Sequence, residues 1–292
     1  MPKIQQLKGK SAVVTGSGSA GIGRAVALAF AEEGAQVVVN DIGRDSSGNY
    51  FADKVVEDIR NKGHLAVANY DSVATISGGL NIVNAAVSNF GKIDILVNCA
   101  GNFKAMATQD MTEKDWDAIM SVHLKGHFSC VKAAIPEMVR QHSGRIINFS
   151  SRGAFIGPPA SASAAGSLAY NTAKAGILGF TVALSSELSE HGITVNAILP
   201  SAVTPLFPGQ KRAMTDNIPL AAKTEPEYVT PVVVYLATEG AGKITGQFFY
   251  AAGGDICIYG RPLQLPGPHT FLRTPDKWTV DQLSNIIPGL IK

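Results

Sequence analysis

Three observations on this sequence predict an α/β protein built on one doubly wound parallel sheet. Apolar runs rich in Val and Ile alternate with segments of helical period from the start to about residue 255. The runs are continuous rather than alternating, which is the pattern of strands covered on both faces. A glycine cluster follows the first run and opens the first helical segment, where an open α/β sheet places its ligand.

The elements follow in order. Residues 11–15 (SAVVT) read as a buried strand, and residues 22–33 as a helix stopped by Gly34. Residues 36–40 form a second strand, 51–62 a helix ended by Gly63, and 64–69 a third strand. A helix then runs to Phe90 and Gly91, and residues 93–98 (IDILVN) make a fourth strand. A long helical stretch reaches Gln141. Strand 145–149, helix 168–189, strand 193–198 and a last strand at 247–251 complete the series. With right-handed crossovers, these units wind into a single sheet and a single domain. Residues 153–167, small and Pro/Gly-rich, read as a loop. The domain is expected to span residues 1–255, followed by an ordered C-terminal extension at 256–292. That extension carries a capping-box sequence at 279–282 and packs on its own core or on a neighbouring subunit.

Composition narrows the function classes. Charged residues are 16% of the 292, against roughly 25% in typical soluble chains, so much surface is expected to be buried between subunits. The net charge is +2, without a basic or acidic block, which argues against nucleic acid and against polybasic membrane binding. Three separated cysteines, Cys99, Cys130 and Cys257, make neither a disulfide framework nor a CxxC metal spacing. His123 and His127 lie four apart on a helix, but no third ligand accompanies them, so no metal site is expected. No apolar run is long enough for a membrane span, and the N-terminus lacks a secretory core. The expected setting is cytoplasmic.

Two constellations carry chemistry. In Thr15-Gly-Ser-Gly-Ser-Ala-Gly-Ile-Gly23, glycines allow a tight turn and close backbone approach to a pyrophosphate, and the following helix N-terminus favours its charge. Gly16, Ser17, Gly18, Gly21 and Ile22 are the candidate contacts. Asp41 ends the second strand 18 residues after Gly23, where a carboxylate accepts ribose hydroxyls and repels a 2′-phosphate. An Asx turn is the bland alternative, and Arg44 nearby leaves a 2′-phosphate open, although NAD is the preferred cofactor. Further on, Tyr170 and Lys174 lie one helical turn apart on one face. An ammonium beside a phenol lowers its pKa from near ~10 and fits it to take the proton of an alcohol. Ser151, at the end of the preceding strand, is placed to hold the substrate oxygen.

These residues, with Asn98-Cys-Ala-Gly101 and Pro200, stand in the order of the short-chain dehydrogenase/reductase family. The sequence resembles that family's compact Rossmann branch over about residues 5–255. The resemblance implies that Ser151 orients the carbonyl or hydroxyl, that Tyr170 is the acid/base, and that Lys174 binds the nicotinamide ribose and lowers the tyrosine pKa. It also implies that Asn98, Ala100 and Gly101 line the adenosine side, that Asp71 and Ser72 flank the adenine, and that Pro200, Val203 and Thr204 hold the nicotinamide end. Dimers or tetramers through the long paired helices are implied as well.

Three departures stand out. The glycine loop has four residues between Gly16 and Gly21, where the family usually has three. Ser151 and Tyr170 are 19 apart, about six more than the family habit, which leaves Ser161, Ser163 and Ser167 as competitors for the serine role. His123 replaces the family's relay asparagine and is either a catalytic relay group or a buried structural histidine. Through Asn40-Asp-Ile-Gly43, residues 52–59 (ADKVVEDI), residues 66–73 (AVANYDSV) and Val122-His-Leu-Lys-Gly126, the cofactor half further resembles (3R)-hydroxyacyl-CoA dehydrogenase domains of the multifunctional type 2 enzymes, which makes an acyl-CoA-like substrate a lead. Phe103, Phe155, Phe207 and Trp278 read as pocket or core, and Lys104, Arg152 and Lys211 as CoA-phosphate contacts or surface charge. The competing functions are a catalytically silent subunit that binds a partner and an NADPH-dependent ketoreductase.

Overall fold

The structure is a computed structural model that describes residues 5–154, 168–206 and 223–259. Its strands are β1 (Ser11–Thr15), β2 (Gln36–Asn40), β3 (Ala66–Asn69), β4 (Ile95–Asn98), β5 (Gly144–Phe149), β6 (Ile193–Pro200), β7 (Phe248–Ala252) and β8 (Asp255–Tyr259). The helices are α1 (Ile22–Glu32), α2 (Phe51–Asn61), α3 (Ile76–Phe90), α4 (Glu113–Arg140), α5 (Leu168–Glu187) and α6 (Thr230–Ala237). The sheet order is β3-β2-β1-β4-β5-β6-β7-β8, with every pair parallel except β7–β8. The doubly wound sheet read from the sequence is what the chain forms.

Two-residue periodicity explains why the strands read as unbroken apolar runs. In β1 and β2, Ala12, Val14, Val37 and Val39 pack in the core beneath α1, α2 and α6. Val13 and Val38 face the opposite way, into the core beneath α3, α4 and α5. Both faces exclude water, so neither set can be polar. Thr75 caps α3 by accepting the Gly78 amide, and Gly91 ends that helix at φ 78°. Thr112 and Asp115 form a reciprocal capping box at the start of α4.

Two elements differ from the sequence reading. Asp255–Tyr259, where the extension was expected to begin, is strand β8, paired antiparallel with β7 through a turn at Gly253 and Gly254. Its outward residues Ile256 and Ile258 are exposed and apolar, so no polar alternation marks it. Helix α6 was not anticipated, because TPVVVYLA is short and apolar on most of its circumference. The chain divides into two compact units, residues 1–260 and 261–292. The competitor serines, the 279–282 capping box, Phe155, Phe207, Lys211 and Trp278 lie outside the described residues. Among the described residues, no helix is long and apolar enough to cross a membrane.

Candidate active site

Strand order reverses between β1 and β4, and the loops leaving the carboxyl ends there part to form a cleft of about 530 Å³. One wall begins with the loop between β1 and α1. Gly16 sits at φ 66°, a left-handed conformation, and a Cβ there would lie 2.6 Å from the Ala100 Cα. A Cβ on Gly23 would lie 2.3 Å from the Gly16 carbonyl oxygen. These two glycines let backbone pack on backbone. Gly21 differs: it lines the cleft, and a Cβ on it would meet no protein atom within 4 Å. The open space in front of Gly21, at the N-terminus of α1, is a cradle that a methyl group would fill. It suits the pyrophosphate of a dinucleotide.

The structure brings together Gly16, Gly21, Ile22, Asp41, Asp71, Ser72, Ala100, Gly101, Ser151, Tyr170, Lys174, Pro200 and Thr204 along this one cleft. Four other predicted contacts lie off its wall. Ser17 is fully buried, its hydroxyl donating to the Val14 carbonyl at 2.7 Å. Gly18 is packed against Asp41 and Ala52. Asn98 donates to the Asn148 amide oxygen at 3.0 Å, and Asn148 in turn donates to Thr181, so this pair braces β4, β5 and α5. Val203 is 39% exposed, its amide tied to the Thr224 carbonyl. These residues have the right types for contact, but their polar groups are engaged by the scaffold.

A pair of side-chain bonds that sequence reading missed aligns the switch point. The Thr15 hydroxyl accepts the Cys99 and Ala100 amides at 3.1 Å each and so fixes the loop after β4 against the glycine turn. Only the β1–β4 register puts these residues side by side.

Ser151, Tyr170 and Lys174 meet at the cleft. Tyr170 and Lys174 are both 5% exposed, with the Lys174 Nζ 5.5 Å from the Tyr170 ring centre. The Lys174 ammonium donates to the Phe149 carbonyl at 2.6 Å. Burial holds it at about 8, against an ordinary 10.5. The Ser151 hydroxyl accepts the Gly153 amide at 3.1 Å, and the neighbouring Ser150 hydroxyl donates to the Lys174 carbonyl at 2.8 Å. The latter bond pins the end of β5 to α5, so the 19-residue separation does not part serine from tyrosine. A Cβ on Gly153 would lie 2.6 Å from the Asn171 side chain and 3.5 Å from the Ser151 hydroxyl. Gly153 thus allows the close approach of these two segments.

His123 lies beside Tyr170 without lining the cleft. It is fully buried, with its Nε2 2.7 Å from the Asn102 carbonyl oxygen and 3.1 Å from the Asn102 nitrogen, so that it donates to the first or accepts from the second according to tautomer. Burial, reinforced by the Lys174 charge, pushes the imidazole down to about 3, which leaves it neutral at physiological pH. The ring lies edge-to-face on Tyr170 at 5.2 Å, and Phe103 does the same at 5.3 Å. Both rings frame the phenol. His127 is also buried and held well below the usual histidine range by desolvation. Lys104 is engaged with Asp115 at 2.6 Å. Arg152 is not the surface charge of one of its two readings: it is 4% exposed, lines the cleft and lies over the Tyr250 ring at 4.9 Å.

The two glycines give opposite expected results. Gly16→Ala forces a side chain into the left-handed region and onto Ala100, at a cost of about 1–3 kcal/mol, which lowers the melting temperature by several degrees. Gly21→Ala meets no protein atom, so its melting temperature is expected to stay near that of the parent while affinity for a nicotinamide dinucleotide falls about tenfold. Thermal melts and a fluorescence titration with NADH separate the two effects. Undiminished NADH affinity in Gly21→Ala would place the pyrophosphate elsewhere.

Fold and cleft together define an α/β oxidoreductase that acts on hydroxyl or ketone carbons with a nicotinamide cofactor. A family model described as enoyl-(acyl carrier protein) reductase matches residues 17–255. The chain is 40% identical over 252 residues to the peroxisomal multifunctional enzyme type 2 of Mus musculus, a match covering 84% of this chain and 32% of that protein. It therefore spans about a third of that relative's length. It is 39% identical over 250 residues to the 3-oxoacyl-(acyl-carrier-protein) reductase FabG of Staphylococcus aureus, covering 84% and 97% of the two chains. Among solved structures, a short chain dehydrogenase from Mycobacterium avium superposes with a TM-score of 0.83 at 35% identity, covering 98% of this chain and 95% of that one. The chain belongs to the short-chain dehydrogenase/reductase family.

Proposed function

We propose that this chain is an NAD-dependent oxidoreductase that interconverts a secondary alcohol and a ketone. The observation that carries the proposal is that Ser151, Tyr170 and Lys174 wall the same cleft as Gly21 and Asp41. When bound, the nicotinamide supplies or accepts the hydride. In this reading the Ser151 hydroxyl orients the substrate oxygen, and the Tyr170 phenol gives that oxygen a proton in reduction and takes it back in oxidation. The Lys174 ammonium favours the phenolate and holds the nicotinamide ribose. Asp41, Asp71 and Ser72 take the adenosine half, and Thr204 the nicotinamide end.

The preference for NAD over NADP rests on Asp41 at the cleft wall. It rests also on Arg44, whose guanidinium lies 3.7 Å from the Tyr50 ring centre and donates to the Gly48 carbonyl and the Tyr50 hydroxyl. A 2′-phosphate would face a carboxylate there, with Arg44 already engaged. A 3-oxoacyl thioester is the proposed substrate class. It fits the apolar surface that Phe149, Pro200, Pro205 and Leu206 give the cleft, and FabG, similar along its whole length, is named for such a substrate. Assembly into a homo-oligomer in the cytoplasm belongs to the same proposal, with exposed Phe128 on α4 and Leu168 on α5 as candidate contacts.

The test is NADH with acetoacetyl-CoA, followed by nicotinamide absorbance. Loss of the NADH signal is expected, with a lower rate from NADPH. Reduction of cyclic or aromatic ketones alone would move the substrate class. Tight NADH binding without turnover on any ketone would favour a silent binding subunit.

A further inference from the structure

The turn between β1 and α1 is one residue longer than the family pattern, and its extra length lies against the end of β2. Asp41 holds it there. One carboxylate oxygen, Oδ2, accepts the amides of Gly18 at 2.9 Å and Ser19 at 3.3 Å. The other, Oδ1, accepts the Gly43 amide at 2.8 Å. Gly18 packs so closely on this residue that a Cβ would fall 2.7 Å from the Asp41 Cβ and 2.8 Å from the Ala52 nitrogen. On the near side of the turn, the Ser17 amide donates to the Asn40 carbonyl at 3.0 Å. The end of β2 therefore anchors three successive residues of the turn. The next residues, Ala20, Gly21 and Ile22, form the cleft wall at the start of α1.

We propose that Asp41 is a positioning residue for the phosphate loop as well as a reader of the adenosine ribose, so that ribose recognition and pyrophosphate binding are coupled through one carboxylate. The proposal deepens the NAD reading above and rests on it for the identity of the ligand. A carboxylate that only discriminates between cofactors repels a 2′-phosphate, and its removal improves NADPH binding. A carboxylate that also holds the loop presents the amides of Ala20, Gly21 and Ile22 to either cofactor, and its removal weakens both. Charge-assisted bonds to backbone amides are strong enough for the second effect to dominate.

Two measurements on the full chain test this. The first is amide hydrogen exchange in the cofactor-free protein. Asp41→Ser is expected to speed exchange at Gly18 and Ser19 by about fivefold or more, while Asp41→Asn, which keeps an acceptor oxygen, retains most of the protection. The second is calorimetric binding of adenosine, ADP, NADH and NADPH. Asp41→Ser is expected to weaken ADP at least about fivefold more than adenosine and to leave NADPH no tighter than in the parent. Unchanged exchange at Gly18 and Ser19 would overturn the proposal. So would an unchanged ratio of ADP to adenosine affinity accompanied by tighter NADPH. Failure of the parent protein to bind any adenine ligand would instead overturn the NAD reading, and the exchange measurement would still decide the role of Asp41.

Discussion

Tyr170→Phe is expected to lower turnover by ~10²–10⁴-fold while leaving NADH affinity within about twofold of the parent. In the proposed reading the phenol exchanges a proton with the substrate oxygen, and phenylalanine has no proton to exchange. The ring itself stays. Phenylalanine keeps the edge-to-face contacts with Phe103 and His123 and the packing against Ile119 and Ala173, so stability should move by no more than about 1 kcal/mol. Steady-state kinetics, a binding titration and a thermal melt on the same preparation check all three. Unchanged turnover would remove Tyr170 from the chemistry.

Lys174→Met is expected to move activity and stability in opposite directions. The ammonium is 5% exposed, and burial holds it at about 8 rather than 10.5. At neutral pH the folded protein therefore carries a buried charge at a cost of about 3 kcal/mol relative to the unfolded chain. Methionine has similar reach and no charge. It loses the bond to the Phe149 carbonyl, worth about 1 kcal/mol, so the cofactor-free variant should be more stable by about 1–2 kcal/mol at pH 7. The difference narrows with pH in a defined window. Between about 8 and 10.5 the folded parent binds fewer protons than the unfolded chain, so the parent gains stability as pH rises and its disadvantage fades. Turnover should fall about 10²-fold or more, because in the proposed reading the ammonium that favours the phenolate is gone. Denaturant melts at pH 7 and pH 10, alongside kinetics, test both signs. A variant less stable at pH 7 would show that the lysine braces the fold instead of straining it.

Much of the sheet was legible because its chemistry is local. Strands such as β1 and β2, buried on both faces, must be apolar at every position, and the Gly-rich turn and Asp41 follow at spacings fixed by the βαβ unit. Strand β8 escaped because its solvent face carries Ile256 and Ile258, which erase the alternation expected of an edge. The residue types of the site were also legible, but their surroundings were not. Nothing in a one-dimensional pattern separates Asn98, spent on Asn148, from Ala100 on the cleft wall. Arg152 reads as surface charge or a CoA-phosphate contact, and only the fold shows it buried beside Tyr250; His123 reads equally as a relay or a structural histidine, and only the fold shows its ring buried against Asn102. Thr15 could not be found from sequence, since its partners Cys99 and Ala100 lie 84 and 85 residues away and meet it only through strand register.

Hydride transfer itself is the most direct measurement. NADH carrying deuterium at both C4 positions, incubated with the protein and acetoacetyl-CoA, should yield a 3-hydroxyacyl product one mass unit heavier, with the label on the carbinol carbon. An unlabelled alcohol, or no alcohol from any ketone while NADH remains bound, would contradict an oxidoreductase acting through Ser151, Tyr170 and Lys174.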